Sequence, residues 1–419
     1  MARGVLLRHR DFRLLWGGET VSELGSQVSL LAIPLLAVRT LHATTFEMGL
    51  LTAASTAAFL VVGLPTGVWV DRVRRRRVMI GADLGRVLAL GSVPVAYAVG
   101  GLTLVQLFVV TLTSGILTVF FDVAYQSYLP ALVGREHLVE GNAKLTGSAQ
   151  VAAVAGPSVA GGLVQAIGGS AAVALDSVSF LASAVAVGAI RRPEPKPVMP
   201  EEGHPKLVHD IGEGLRFVFG DRLLRAIAAT TATSNLFSGI AAAIEIVFLV
   251  RAVHASSGVI GLLFTAGGAG GVLGALAAAP TARRFGGARA TMIGIACSAG
   301  ALLIPLTMAG AGLLYFGAGM FIVSFSAVVY NVNQVSFRQR LCPDRLLGRM
   351  NATMRFVVWG VLPMGALIGG FLGSVAGLRP TLWIGAAGQA VAGIWLLASP
   401  MRTMRDFPDA PASTQPSAK

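Results

Sequence analysis

Two apolar stretches, Phe46 to Val70 and Val78 to Val99, each match the roughly 20 helical residues that cross a hydrocarbon core. They meet at Gly67-Val68-Trp69-Val70-Asp71-Arg72-Val73-Arg74-Arg75-Arg76-Arg77. Five arginines within six positions cannot lie in lipid, so this stretch is a short basic hairpin at a membrane face. An excess of Lys and Arg marks that face as cytoplasmic. Few folds remain open to such a chain, because backbone groups in lipid must be satisfied within helices or a closed barrel.

Composition extends the reading to the whole chain. Apolar side chains make up 54% of the 419 residues and charged ones 13%, which is too apolar for a soluble domain and implies a polytopic membrane protein. The net charge of +13 could suggest nucleic acid, but the charges cluster between apolar runs, so the expected partner is the lipid bilayer. Cys297 and Cys342 predict neither a disulfide framework nor a metal site. The histidines, among them His42, His137 and His254, are scattered. No phosphate-cradling loop and no catalytic constellation is present, so neither a cofactor nor an enzymatic activity is expected. Met1 to Arg13 carries four arginines with no cleavage pattern after it, which predicts no removable signal peptide.

Twelve apolar runs can be marked: Leu14–Val38, Phe46–Val70, Val78–Val99, Leu102–Ala124, Leu145–Ile167, Ser170–Ile190, Leu224–Val250, Gly258–Ala279, Ala290–Met308, Ala311–Val332, Met350–Ala376 and Leu378–Ser399. An even count starting in the cytoplasm puts both termini inside. Of the 33 Lys and Arg, only Arg39, Arg251 and Arg379 then fall in outer loops, and a one-helix error would spoil that asymmetry. The predicted divisions are an N-terminal bundle (1–191), a cytoplasmic linker (192–222), a C-terminal bundle (223–400) and a disordered tail (401–419). The linker opens with a proline-rich spacer. It then carries Ile211, Leu215, Val218 and Phe219 at helical spacing, read as an amphipathic helix on the inner leaflet or as an extension of the seventh run. The halves echo each other about 208 residues apart: Gln126 to Asn142 is answered by Gln334 to Asn351, and Gly161-Gly162 by Gly369-Gly370. That is where two six-helix repeats about an axis along the membrane normal would place it.

Acids inside membrane runs are costly and are candidate sites. Glu19 and Glu23 lie four apart on one face of the first run, where like charges favour keeping one proton bound. Glu23 is the deeper of the two and is expected to carry a coupling proton, with Glu245 of the seventh run as a third candidate. The alternative is a pair bonded to Ser22, Ser26 or Gln27 in a polar wall. Asp83 and Asp122 lie near cytoplasmic helix ends, and Asp176 reads as structural. Phe121, Tyr125, Phe237 and Tyr330, with Phe120, Phe264 and Trp359, could line an apolar cavity or simply pack.

The hairpin pattern G-x-x-x-D-R-x-x-R-R resembles the motif joining the second and third helices of major facilitator superfamily transporters, with Gly67, Asp71, Arg72, Arg75 and Arg76 on its positions and Arg74 where many members carry Gly. The fifth run, with Gly147, Gly156, Pro157, Gly161 and Gly162, resembles the glycine-proline motif of the antiporter branches. "DFRLLWGGETVSELGSQVSLLAIPLLA" and "GEGLRFVFGDRLLRAI" are similar to the branch containing macrolide-efflux proteins and the enterobactin exporter. The resemblance implies an all-α membrane protein with twelve transmembrane helices in two six-helix bundles. It implies a cytoplasmic-membrane monomer that exports a small amphipathic molecule in exchange for protons. It also implies an inner-face latch in which Arg75 pairs with Asp122 and Asp71 faces the start of the eleventh run near Arg349 and Arg355. The basic residue that many proton antiporters carry in the fourth helix is missing from Leu102 to Ala124. An uptake symporter and a non-transporting membrane sensor stay open as alternatives.

Overall fold

The structure, a computed structural model, describes residues 9–192, 194 and 207–407. In chain order the helices are α1 (Arg10–Arg39), α2 (Thr45–Arg72), α3 (Arg75–Ala98), α4 (Leu104–Val133), α5 (Leu138–Ile167), α6 (Gly169–Gly188), α7 (Leu207–Gly220), α8 (Arg222–Arg251), α9 (Ser257–Phe285), α10 (Gly287–Cys297), α11 (Leu313–Leu341), α12 (Asp344–Val375), α13 (Leu378–Val391) and α14 (Ile394–Leu397). The described residues contain no strand, and 12 helical segments are long and apolar enough to cross a membrane. α10 continues through 3₁₀ turns over Ser298–Leu306, and together they make the ninth of these spans.

Helix ends depart from the apolar runs for local reasons. α4 continues past Ala124 to Val133 because Tyr128, Leu129 and Leu132 are buried in a core with Phe12, Leu15 and Ile190. Gly134 at φ 77 then stops it. α5 begins at Leu138, before the apolar run, in a polar turn where Glu140 and Lys144 pair at 3.5 Å.

By contacts the chain forms two compact units, one of residues Met1–Glu201 with Ile246–Thr265, the other of Glu202–Glu245 with Ala266–Lys419. In the first unit, small residues form the α1–α6 seam. A Cβ on Gly18 would stand 3.2 Å from the Cβ of Ala186, and one on Gly25 2.9 Å from the Cβ of Ser179. Close packing of this kind holds membrane helices together where lipid offers no hydrophobic drive. In the second unit, Gly239 and Gly365 bring α8 and α12 into backbone contact in the same way.

α7 is a separate helix, broken from α8 at Asp221, whose carboxylate caps α8 through the N–H groups of Leu223 and Leu224, both at 2.8 Å. It packs on α12: Val218 is buried, Gly214 lies against Thr353 and the Arg349 carbonyl, and Glu213 bonds Arg349. Leu215 and Phe219 stay exposed. The proline-rich spacer and the side chain of Ile211 lie outside the described residues.

The expectation of disorder from residue 401 needs correction at its start. Met401 is fully buried, and the Phe407 ring stacks on Phe337 with centroids 4.0 Å apart. Asp406 accepts from the N–H of Gly287 at 2.9 Å, and Gly286 at φ 91 admits the Arg405 backbone where a side chain would collide with it. An aromatic pair and a capped helix start outweigh the polar composition that suggested disorder. Residues 408–419 lie outside the described residues.

Candidate functional site

α1, α3 and α6 bring a set of ionic side chains together inside the first unit, and α4 adds the exposed Asp122. Asp83 and Arg86 of α3, three residues apart, form an ion pair with relative exposures of 0% and 4%. The guanidinium lies between two rings, 4.8 Å from the centroid of Phe121 in α4 and 4.0 Å from that of Phe180 in α6. Aromatic faces stabilise a desolvated cation, which is how an arginine can persist there. Glu19 of α1 is under the influence of Asp122, Glu23, Arg86 and Asp83, and its Oε2 is buried with no hydrogen-bond partner. Asp176 of α6 is buried beside Gly25, its Oδ1 accepting from Ser179 at 3.1 Å. Arg86 thus acts on the carboxyls of Asp83, Glu19 and Asp176, and Glu23 and Asp122 act in turn on Glu19. The cluster's excess of acid can exchange protons or hold a cationic guest.

Arg86 was missed from sequence. The signal was available: Asp83 and Arg86 stand at i, i+3 within an otherwise apolar run, the spacing of a helical ion pair. It supplies from α3 the cation absent from the fourth run, against α4's own Phe121 and, at 3.4 Å, Thr118.

α5 makes two close approaches. A Cβ on Gly156 would fall 2.5 Å from the Cβ of Gln27, whose amide donates to Glu23 Oε1 at 3.4 Å. Gly161 lies against the Ser257 carbonyl and the Gly261 backbone, and Gly261 in turn against the Pro157 carbonyl. The α5–α9 contact is pinned by Ser158 and Thr265 hydroxyls 2.6 Å apart, and by Gln165 Oε1 accepting from the N–H of Gly258 at 2.9 Å. Gly147 and Gly162 face open space.

Beyond the C-terminal ends of α1 and α8 is a symmetric feature that the sequence reading overlooked. Arg39 Nη2 donates to the Ala255 carbonyl at 2.7 Å, and Arg251 Nη2 donates to the Ala43 carbonyl at 2.6 Å. His42 and His254 both take left-handed backbone conformations, φ 52 and 57, so that each chain turns back on its helix end. Thr44 then caps α2, and Ser256 accepts from the N–H of Val259 at the start of α9. The pattern Arg-x-x-His-Ala-(Thr/Ser) therefore occurs twice, from Arg39 and from Arg251.

The remaining predicted residues are dispersed. Glu194 caps α3 through the N–H groups of Arg75 at 2.6 Å and Arg76 at 3.3 Å, and its Oε1 lies 3.9 Å from Arg75 Nη1. The Arg76 side chain donates to the Val187 carbonyl at 3.1 Å, and Arg72 is exposed. The side chains of Gly67 and Asp71 lie outside the described residues. Arg349 is bonded to Glu213, and Arg355 lies 6.0 Å from the centroid of the Trp359 ring. Glu245 is buried in α8, and among the described residues no charged group acts on it. Phe121 and Tyr330 prove to be core residues, because rings of that size fill the space between crossing helices. The Tyr330 hydroxyl is 2.7 Å from that of Thr231. Phe237 packs its ring on Gly388, and Tyr125 stacks on Phe121 with centroids 6.3 Å apart.

The family model described as transmembrane secretion effector matches residues 5–418. The chain belongs to that family. It is therefore a membrane transporter of the major facilitator superfamily, with twelve helical segments among the described residues long and apolar enough to cross a membrane. This family member is 26% identical over 379 residues to the multidrug efflux pump Tap of Mycolicibacterium fortuitum, covering 85% of this chain and 88% of the pump. It is 29% identical over 187 residues to macrolide efflux protein A of Streptococcus pyogenes, covering 44% and 45% of the two chains. Among solved structures, a bacterial homologue of the iron transporter ferroportin in an inward-facing state superposes with a TM-score of 0.76 at 14% identity, covering 96% of this chain and 100% of the other. The nucleoside transporter NupG gives 0.75 at 12% identity, covering 94% and 99%. At those identities the likeness speaks for the fold alone.

Proposed function

We propose that this transporter exports a small amphipathic drug or natural product across the cytoplasmic membrane, by alternating access of two six-helix bundles and in exchange for protons. The observation that carries the reading is the likeness to a multidrug efflux pump along 85% of the chain, together with the acid-rich cluster around Arg86. The basic hairpin and the distribution of Lys and Arg support cytoplasmic termini and a cytoplasmic face at Arg72 to Arg77.

In this reading Glu19 carries the coupling proton. Sequence depth favoured Glu23, but Glu23 has Gln27 as a partner, whereas Glu19 Oε2 has none and stands among the charges of Asp122, Arg86 and Asp83. Opening outward loads a proton on the Glu19 carboxylate. Opening inward releases it as substrate enters. The Arg39 and Arg251 bonds, with the α5–α9 contact, tie the outer ends together while the inner side is open, and they part for release. The Asp71 hairpin holds the opposite state.

Everted membrane vesicles carrying the protein test the direction of transport. Under an imposed inside-acid gradient they should accumulate a macrolide or another amphipathic drug above vesicles without the protein. Accumulation only in right-side-out vesicles would instead mean uptake.

A further inference from the structure

A cavity of about 720 Å³ in the second unit lies where the spans Arg222–Arg251 and Leu378–Leu397 end. Its charged lining is Arg222, Arg225 and Arg402, and its apolar lining includes Ala226, Ala229 and Trp395. Three arginines elsewhere in this protein pair with carboxylates, Arg86 with Asp83, Arg75 with Glu194 and Arg349 with Glu213, while Arg39 and Arg251 donate to carbonyls. Among the described residues, the three of the cavity have no carboxylate. The one recorded bond from their side chains is Arg225 Nη1 to the Phe219 carbonyl at 3.4 Å. The start of α8 is already capped by Asp221, which accepts from the N–H groups of Leu223 and Leu224. Three uncompensated guanidinium groups converging on one cavity remain to be explained.

Trp395 sets the level. Its Nε1 donates to Thr233 at 3.0 Å, and 48% of the residue stays exposed. Tryptophans held in that way collect where hydrocarbon gives way to headgroups, and basic cavities at the same depth on the cytoplasmic side take anionic headgroups. The geometry points to a binding site for a phosphate ester, supplied by the headgroup of an anionic phospholipid or by a soluble phosphate. The guanidinium groups hold the phosphate, and Ala226, Ala229 and Trp395 receive the glycerol backbone and the first carbons of the chains.

Binding can be read without transport, so this site stands or falls independently of the proposed export. The purified full-length protein in neutral detergent is titrated with dioleoylphosphatidylglycerol, with dioleoylphosphatidylcholine and with glycerol 3-phosphate, and thermal unfolding is followed. A saturable rise in Tm with phosphatidylglycerol, absent with phosphatidylcholine, is expected. Arg222→Gln combined with Arg402→Gln should move the midpoint of that titration about tenfold to higher lipid. All three arginines are exposed, so these substitutions leave the fold intact. Arg283→Gln combined with Arg284→Gln, at the end of α9, serves as the control and should leave the midpoint in place. The same arginine-dependent response to glycerol 3-phosphate would assign the soluble source to the site. No response to either phosphate ester overturns the proposal, as does an equal loss in the control.

Discussion

The two halves of the chain repeat a helix order and differ in what those helices enclose. In the first half the interior holds Asp83, Arg86 and Asp176, with Glu19, Glu23 and Asp122 near them. In the apolar runs of the second half, Glu245 is the sole acid. Arg338 of α11 is buried in that half too, but the interior hydrogen bonds include neutral ones: Thr231 with Tyr330 at 2.7 Å, Asn235 to the Val358 carbonyl at 2.8 Å and Ser298 to the Gln389 carbonyl at 2.9 Å. Neutral bonds between membrane helices hold packing together at little cost, whereas a buried charge must find a partner or a task. Packing is thus repeated in the two halves while the cluster of acids is not, and it is the first half where a moving proton would act.

The largest test of that contrast removes a charge from each half. Arg86→Ala leaves Asp83 buried without its cation and should destabilise the protein by ~3–5 kcal/mol. Glu245→Gln removes a carboxyl with no partner charge and should change stability by less than ~1 kcal/mol. Thermal unfolding in detergent measures both, and comparable losses would erase the distinction. Arg86→Gln combined with Asp83→Asn should recover most of the stability, since neither half of the pair is then left alone.

Packing in the first half is sharpened by neighbouring glycines. Gly161→Leu drives a side chain into the Ser257 carbonyl and the Gly261 backbone, and an overpacked contact costs ~1–3 kcal/mol or more. Gly162→Leu enters open space and should be tolerated in yield and transport. Equal tolerance at both positions would mean that α5 and α9 do not need their close approach.

The reciprocal bonds of Arg39 and Arg251, an arginine clasp, are where the two halves are most alike, and their effect is smaller. A hydrogen bond from a charged donor is worth ~1.5–3 kcal/mol. Arg39→Ala and Arg251→Ala should therefore each favour outer-face opening by similar amounts. Cysteine accessibility at the α1–α2 turn measures it. If one variant opens that face and the other does not, the reciprocity is only geometric.

Much of this was legible in the sequence because the membrane leaves a chain few choices. The apolar runs give the helices to within a few residues at most ends, and the pattern around Gly156 and Gly161 points to the close contacts α5 makes. Three things were not legible. α4 could not be seen to reach Val133, because its last turns face protein rather than lipid. The setting of Arg86 was not legible because the sequence shows its i, i+3 spacing from Asp83 but not its ring partners on α4 and α6. The clasp escaped because its acceptors are carbonyls, which carry no residue signature, although the repeat from Arg39 and Arg251 could have been found.

The central claim is that the coupling proton sits in the first half, on Glu19. Reconstituted Glu19→Gln, Glu23→Gln and Glu245→Gln proteins, given the same imposed pH gradient and an exported drug, test it most directly. The account predicts that Glu19→Gln loses uphill export at least about tenfold while still binding drug. Glu23→Gln should weaken export less, and Glu245→Gln should export as the parent does. Full gradient-driven export by Glu19→Gln, or its loss in Glu245→Gln alone, would contradict the account.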